Sequence, residues 1–75
     1  MPKRKFDGWN AELGWRLKEY RKARNLTLKQ AAERCGVSHQ QILKYERGAN
    51  APSLSTVSSL AELYGVNPAY ICGWE

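Results

Sequence analysis

The stretch from Thr27 to Gly48 constrains the fold more tightly than any other part of this chain. Thr27-Leu-Lys-Gln30 has the Thr-x-x-Gln form of a capping box, in which hydroxyl and amide side chains satisfy the orphan N–H groups of a helix start. Gly36 then supplies a residue that takes the left-handed C-terminal position without steric cost. Two residues later Ser38-His-Gln-Gln41 repeats the start signal, and Gly48 repeats the stop. One long helix needs no internal stop and restart. The pattern therefore predicts two short helices joined by a tight turn, the first burying Ala31, Ala32 and Cys35, the second Ile42 and Tyr45.

The flanking sequence adds three more helices and no strand signal. Leu13, Leu17 and Tyr20 recur at i, i+4 and i+7, which predicts a first helix from about Asn10, its candidate N-cap, to Arg24, with Asn25 ending it. Ala49 to Pro52 reads as a loop. Ser53 caps a fourth helix whose Val57, Leu60, Ala61 and Tyr64 share one face, and Gly65 stops it. Asn67-Pro68 opens a short fifth helix through about Cys72. The expected fold is all-α with five helices. Residues 1–9 form a basic N-terminal arm and lead-in, and residues 10–75 form one domain.

At 75 residues the chain suffices for one small domain with a modest core, which self-association would help to stabilise. Its net charge of +5 suits a polyanionic partner. All twelve Lys and Arg residues lie between Lys3 and Arg47, and only Glu62 and Glu75 are charged beyond that point. The first part thus reads as the anion-facing half. The two cysteines, Cys35 and Cys72, form no C-x-x-C pair, and Cys35 reads as a buried free thiol. Without a signal peptide, a membrane-length apolar run or a disulfide pattern, a cytoplasmic protein is expected. One His, no Ser-His-acid grouping and no phosphate-cradling loop argue against an enzyme and against a small-molecule substrate or cofactor. Cys35, His39 and Cys72 offer at most three metal ligands, so no metal site is expected.

The second helix of the central pair opens with amide-rich residues, the arrangement a helix needs to read base edges in a groove about 12 Å wide. From Leu13 to Trp74 the chain resembles the lambda-repressor and Cro (XRE-type) helix-turn-helix family. The resemblance is carried by Leu13-Gly14, Arg21, Leu26-Thr27, Ala32, Gly36, Val37, Ser38, Ile42, Glu46 and Gly48. It continues through Pro52-Ser53-Leu54, Leu60-Ala61, Gly65-Val66 and Asn67-Pro-Ala-Tyr-Ile71. It implies a phage-type or bacterial DNA-binding transcription regulator, most often a repressor. Such a protein binds double-stranded DNA as a homodimer on an inverted-repeat operator, in a bacterial cell or phage-infected host.

The resemblance puts His39 and Gln40 at base-reading positions. A Gln amide pairs bidentately with adenine N6 and N7, a Lys such as Lys44 reaches guanine O6/N7 or a phosphate, and Leu43 meets a thymine methyl. Gln41 faces the bases, the backbone or its own helix cap. Thr27, Lys29, Ser38 and Arg47 are phosphate candidates, as are Lys3, Arg4 and Lys5 of the arm, whose bland alternative is a solubilising tail. Glu46 is disfavoured near the negative end of a helix. In the family the matching acid pairs with an arginine of the first helix, here Arg21. The last helix pairs with its two-fold mate in relatives, which makes Tyr70, Ile71 and Trp74 the dimer candidates, unless Tyr70 and Ile71 only close the core. The chain departs from the family at Leu28, where a phosphate-touching Gln is common, and at Ala49-Asn50-Ala51, where a basic loop is common. Trp15 falls on the polar side of the first helix. It suits the competing reading, a protein-interaction module of the same fold (antitoxin or coactivator type).

Overall fold

A computed structural model describes residues 9–73. It contains five helices: α1 Trp9–Ala23, α2 Leu28–Cys35, α3 His39–Glu46, α4 Leu54–Tyr64 and α5 Pro68–Cys72. Among the described residues there is no strand. The first helix opens at Trp9, so Asn10 lies inside its first turn and is not the N-cap. At its other end Asn25 takes φ 57°, and the Leu26 N–H reaches back to the Arg21 carbonyl, closing α1 with the short polar residue that best tolerates a left-handed backbone.

The central punctuation is realised unevenly. Thr27 Oγ1 accepts from the Gln30 N–H at 3.1 Å and Gln30 Oε1 accepts from the Thr27 N–H at 2.8 Å, so both halves of the first box form. At the second helix start Ser38 Oγ accepts from the Gln41 N–H at 3.1 Å, but the Gln41 side chain does not return the bond. Only half of the expected second box exists, and Gln41 stays available for other contacts. Gly36 caps α2 at φ 69° with nothing within 4 Å of the position a Cβ would take, so backbone conformation alone selects glycine there.

The core collects the apolar stripe of every helix. Leu13, Leu17, Ile42, Leu60 and Ile71 are the largest fully buried side chains, with Ala31, Ala32, Tyr45, Val57, Ala61, Tyr64 and Cys72 around them. Each of the large aliphatic side chains contributes about 1.5–3 kcal/mol by leaving water. Cys35, the last residue of α2, is only half-buried, and the buried thiol is Cys72. Burial raises the Cys35 thiol above its ordinary pKa, which marks an unreactive sulfur. α3 packs against both α1 and α2, α4 lies beneath α2, and α5 closes the far side against α1 and α4. This leaves one face of α3 open.

Candidate nucleic-acid interface

The open face of α3 follows from its boundaries. At about 100° per residue, His39, Leu43, Gln40 and Lys44 span an arc of about 140°, whereas Tyr45, Ile42 and Glu46 fall on the remaining arc, Glu46 next to His39. Burial agrees with that partition. His39, Gln40 and Lys44 are exposed, Leu43 is half-buried within the same face, Gln41 is half-buried just beyond Lys44, and Ile42, Tyr45 and Glu46 are buried. Imidazole, amide, ammonium and an aliphatic edge thus share one helical face.

Around it stand the groups suited to anionic oxygens. Lys29 is exposed in the first turn of α2, and Arg47 is exposed just past α3. Thr27 and Ser38 each accept a backbone hydrogen bond through the hydroxyl oxygen, which leaves the hydroxyl hydrogen to donate outward. Leu28 is half-buried against the core, so the position that departs from the family pattern has exchanged a polar contact for packing. Ala49, Asn50 and Ala51 are exposed and add no cation. Lys3, Arg4 and Lys5 lie outside the described residues.

What holds α3 in place is an ion pair. Arg21 donates to Glu46 through Nε at 2.7 Å and Nη2 at 3.1 Å, and through Nη1 to the Leu26 carbonyl at 2.7 Å. The Glu46 side chain is only 2% exposed. Its hydrogen bonds raise the pKa of Arg21 further above the ordinary value. One guanidinium therefore ties together α1, the α1–α2 connection and the last turn of α3. It also explains an acid at the unfavourable end of a helix.

Two features of the fold have no counterpart in the sequence pattern. Arg24 donates from Nε to the Tyr64 carbonyl at 2.8 Å, clamping the end of α1 to the end of α4. Leu54, the first residue of α4, is 75% exposed. Neither carries a local signal, since the first joins residues forty apart and the second lies outside the periodic stripe.

The dimer candidates divide. Tyr70 is 48% exposed, Trp74 lies outside the described residues, and Ile71 is fully buried, so Ile71 closes the core and offers no surface to a second copy. In a five-residue helix packed over α1 and α4, one face must fill the core, and Ile71 occupies it. Trp15 is 47% exposed, on the polar side of α1 as its spacing requires. Among the described residues no three His, Cys, Asp or Glu side chains gather as metal ligands, and no helix is long and apolar enough to cross a membrane.

Residues 17–71 match the helix-turn-helix family. The chain belongs to that family. Among its helix-turn-helix relatives, the HTH-type transcriptional regulator ImmR of Bacillus subtilis is 38% identical over 61 residues, 81% of this chain and 48% of ImmR. The immunity repressor protein of Bacillus phage phi105 is 38% identical over 63 residues, 84% of this chain and 44% of the repressor. In three dimensions the chain is similar to the clp gene regulator ClgR of Corynebacterium glutamicum, with a TM-score of 0.83 at 26% identity over 87% of this chain and 69% of that one. These similar proteins are regulators and not enzymes, and the XRE-type resemblance read from the motif is one of membership. The chain spans about half the length of the curated relatives it matches.

Proposed function

We propose that this helix-turn-helix chain is a sequence-specific, double-stranded-DNA-binding transcriptional regulator, acting as a repressor on an inverted-repeat operator. It binds as a homodimer and inserts α3 into the major groove. The observation that carries this reading is the exposed face of α3, where His39, Gln40 and Lys44 stand together on a helix locked from behind by Arg21 and Glu46. Gln40 reads adenine, Lys44 reads guanine or a phosphate, His39 donates to or accepts from a base edge, Leu43 meets a thymine methyl, and Gln41 borders the site. Thr27, Lys29, Ser38 and Arg47 hold phosphates, and Lys3, Arg4 and Lys5 are further phosphate candidates; such contacts set register without specifying sequence. Repression is supported by the phage relative, an immunity repressor.

Dimerisation through Tyr70 and Trp74 is supported by charge. No Lys or Arg follows Arg47, so two chains of net charge +5 meet with least repulsion across α4 and α5. The exposure of Trp15 supports the second reading, a protein-interaction module.

Selection from a random duplex pool separates the two. The expected result is an enriched inverted repeat with half-sites about one helical turn apart. A pool that enriches nothing, with weak salt-sensitive binding and a copurifying protein, moves the assignment to the interaction module.

A further inference from the structure

At one point α1 and α3 meet with no side chain between them. A Cβ on Gly14 would lie 2.3 Å from the Tyr45 carbonyl oxygen, 2.5 Å from the Glu46 carbonyl oxygen and 2.8 Å from the Glu46 carbonyl carbon. All three are backbone atoms, so no rotamer change makes room. Gly14 sits in the interior of α1 and is not among the positive-φ residues, so backbone conformation does not require glycine there. It costs the helix about 1 kcal/mol relative to alanine. A second glycine, just past α3, meets the same face of α1. A Cβ on Gly48 would lie 2.8 Å from Ala11 Cα and 3.0 Å from Ala11 N. Ala11 and Gly14 are three residues apart and share a face of α1. The last turn of α3 and the glycine after it therefore rest directly on the α1 backbone, and the Arg21–Glu46 pair pins the same helix end two turns further along.

We infer that Gly14 is a positioning residue for sequence recognition. It fixes the depth and tilt at which α3 is presented, and so which base edges His39 and Gln40 reach. This rests on α3 being the DNA-reading helix. A methyl at Gly14 parts the two helices by about 1 Å before ordinary van der Waals contact is restored. His39 lies six residues from Tyr45, about 9 Å along α3, so a tilt at this contact is transmitted to the reading end. Bidentate base contacts fail under such a shift because hydrogen bonds weaken steeply outside a narrow distance and angle window. Lys29 and Arg47 reach phosphates on long flexible stems and tolerate it. The signature is lost discrimination with retained non-specific affinity.

The test is the ratio of affinities for the selected operator and for a random duplex of equal length, measured on one preparation of the full chain. Any unfolded fraction lowers both affinities alike and cancels in the ratio, so a merely structural role leaves it unmoved. For Gly14→Ala the ratio should fall about tenfold, the worth of one lost base contact, with non-specific affinity and its salt dependence kept. Gly48→Ala presses the same α1–α3 contact from the other helix, its Cβ falling 2.8 Å from Ala11 Cα. Its ratio should fall in the same direction, with a further backbone cost of about 1–2 kcal/mol for a side chain at φ 77°. If Gly14→Ala does not fold, the Gly48→Ala ratio decides. Folded variants that keep the parent ratio overturn the inference while leaving DNA reading by α3 intact. A parent chain with no operator preference overturns both.

Discussion

At the scale of single residues, two buried polar groups invite opposite expectations. The Glu46 carboxylate is nearly inaccessible and receives both Arg21 hydrogen bonds. Glu46→Gln keeps the shape, removes the charge and strands a half-buried guanidinium. The variant should lose about 2 kcal/mol, and an unchanged thermal midpoint would contradict the assigned role. The Tyr64 hydroxyl, by contrast, has no hydrogen-bond partner among the described residues. Burial foremost, then the nearby Glu46 charge, raises its pKa well above the ordinary 10.0. The folded chain keeps that proton where the unfolded chain releases it. The associated stability is therefore complete below pH 10.0 and is lost as pH rises from there toward the folded value, with Cys35 adding a loss of the same sign from 9.0 upward. Tyr64→Phe removes a buried hydroxyl that bonds to nothing. Denaturant unfolding near pH 7 should show no loss or a slight gain, and near pH 10.5 the variant should be the more stable protein. A large loss near neutrality would mean that the hydroxyl is satisfied after all.

At the scale of elements, the two helices of the motif start on the same sequence signal but differ in what their glutamines do. Gln30 closes a capping box and Gln41 does not. Gln30→Ala should cost roughly 0.5–1 kcal/mol in equilibrium unfolding, and Gln41→Ala should stay within about 0.5 kcal/mol of the parent. Equal losses would show that the second box also closes in solution. The contrast marks how far sequence reading carries. Caps act over three residues and core stripes repeat within one helix, so five elements and their buried faces were legible from local pattern. Contacts between distant segments were not. Nothing near Gly14 announces the carbonyls of Tyr45 and Glu46, and nothing near Arg24 announces Tyr64. Glu46 betrayed itself as an acid at the wrong helix end, but its partner Arg21 came from family resemblance. For Ile71 the sequence leaves core and dimer surface both open, because five residues make too little helix for periodicity to separate them; burial puts it in the core. On α3 itself the exposed set followed from the helix start, with Leu43 and Gln41 more buried than a bare helical projection suggests.

For the molecule as a whole, the distribution of charge separates affinity from specificity. Every cation lies at or before Arg47, and α4 and α5 contain none. Leu28 and the Ala49-Asn50-Ala51 loop remove two anchors common in the family, so few cations beside α3 remain to neutralise phosphates. Each one should then be visible as a separate step in salt dependence. Lys29→Ala and Arg47→Ala should each reduce the slope of log affinity against log salt by about 0.9 per protomer, with base preference unchanged. Gln40→Ala should leave the slope in place and relax preference at one position of the half-site, at a cost of about 1–3 kcal/mol on the parent operator. Titrations of the three variants across salt, each on the operator and on a single-position mismatch, read both quantities together. A Gln40 variant that changes the slope but not the preference, or an Arg47 variant that does the reverse, would exchange the roles of the helix face and its flanks. The fold supplies the reason for expecting them to stay apart. The α3 face is held against α1 at fixed geometry, which directional base contacts require, while the flanking cations sit on exposed stems that need only proximity to a charge.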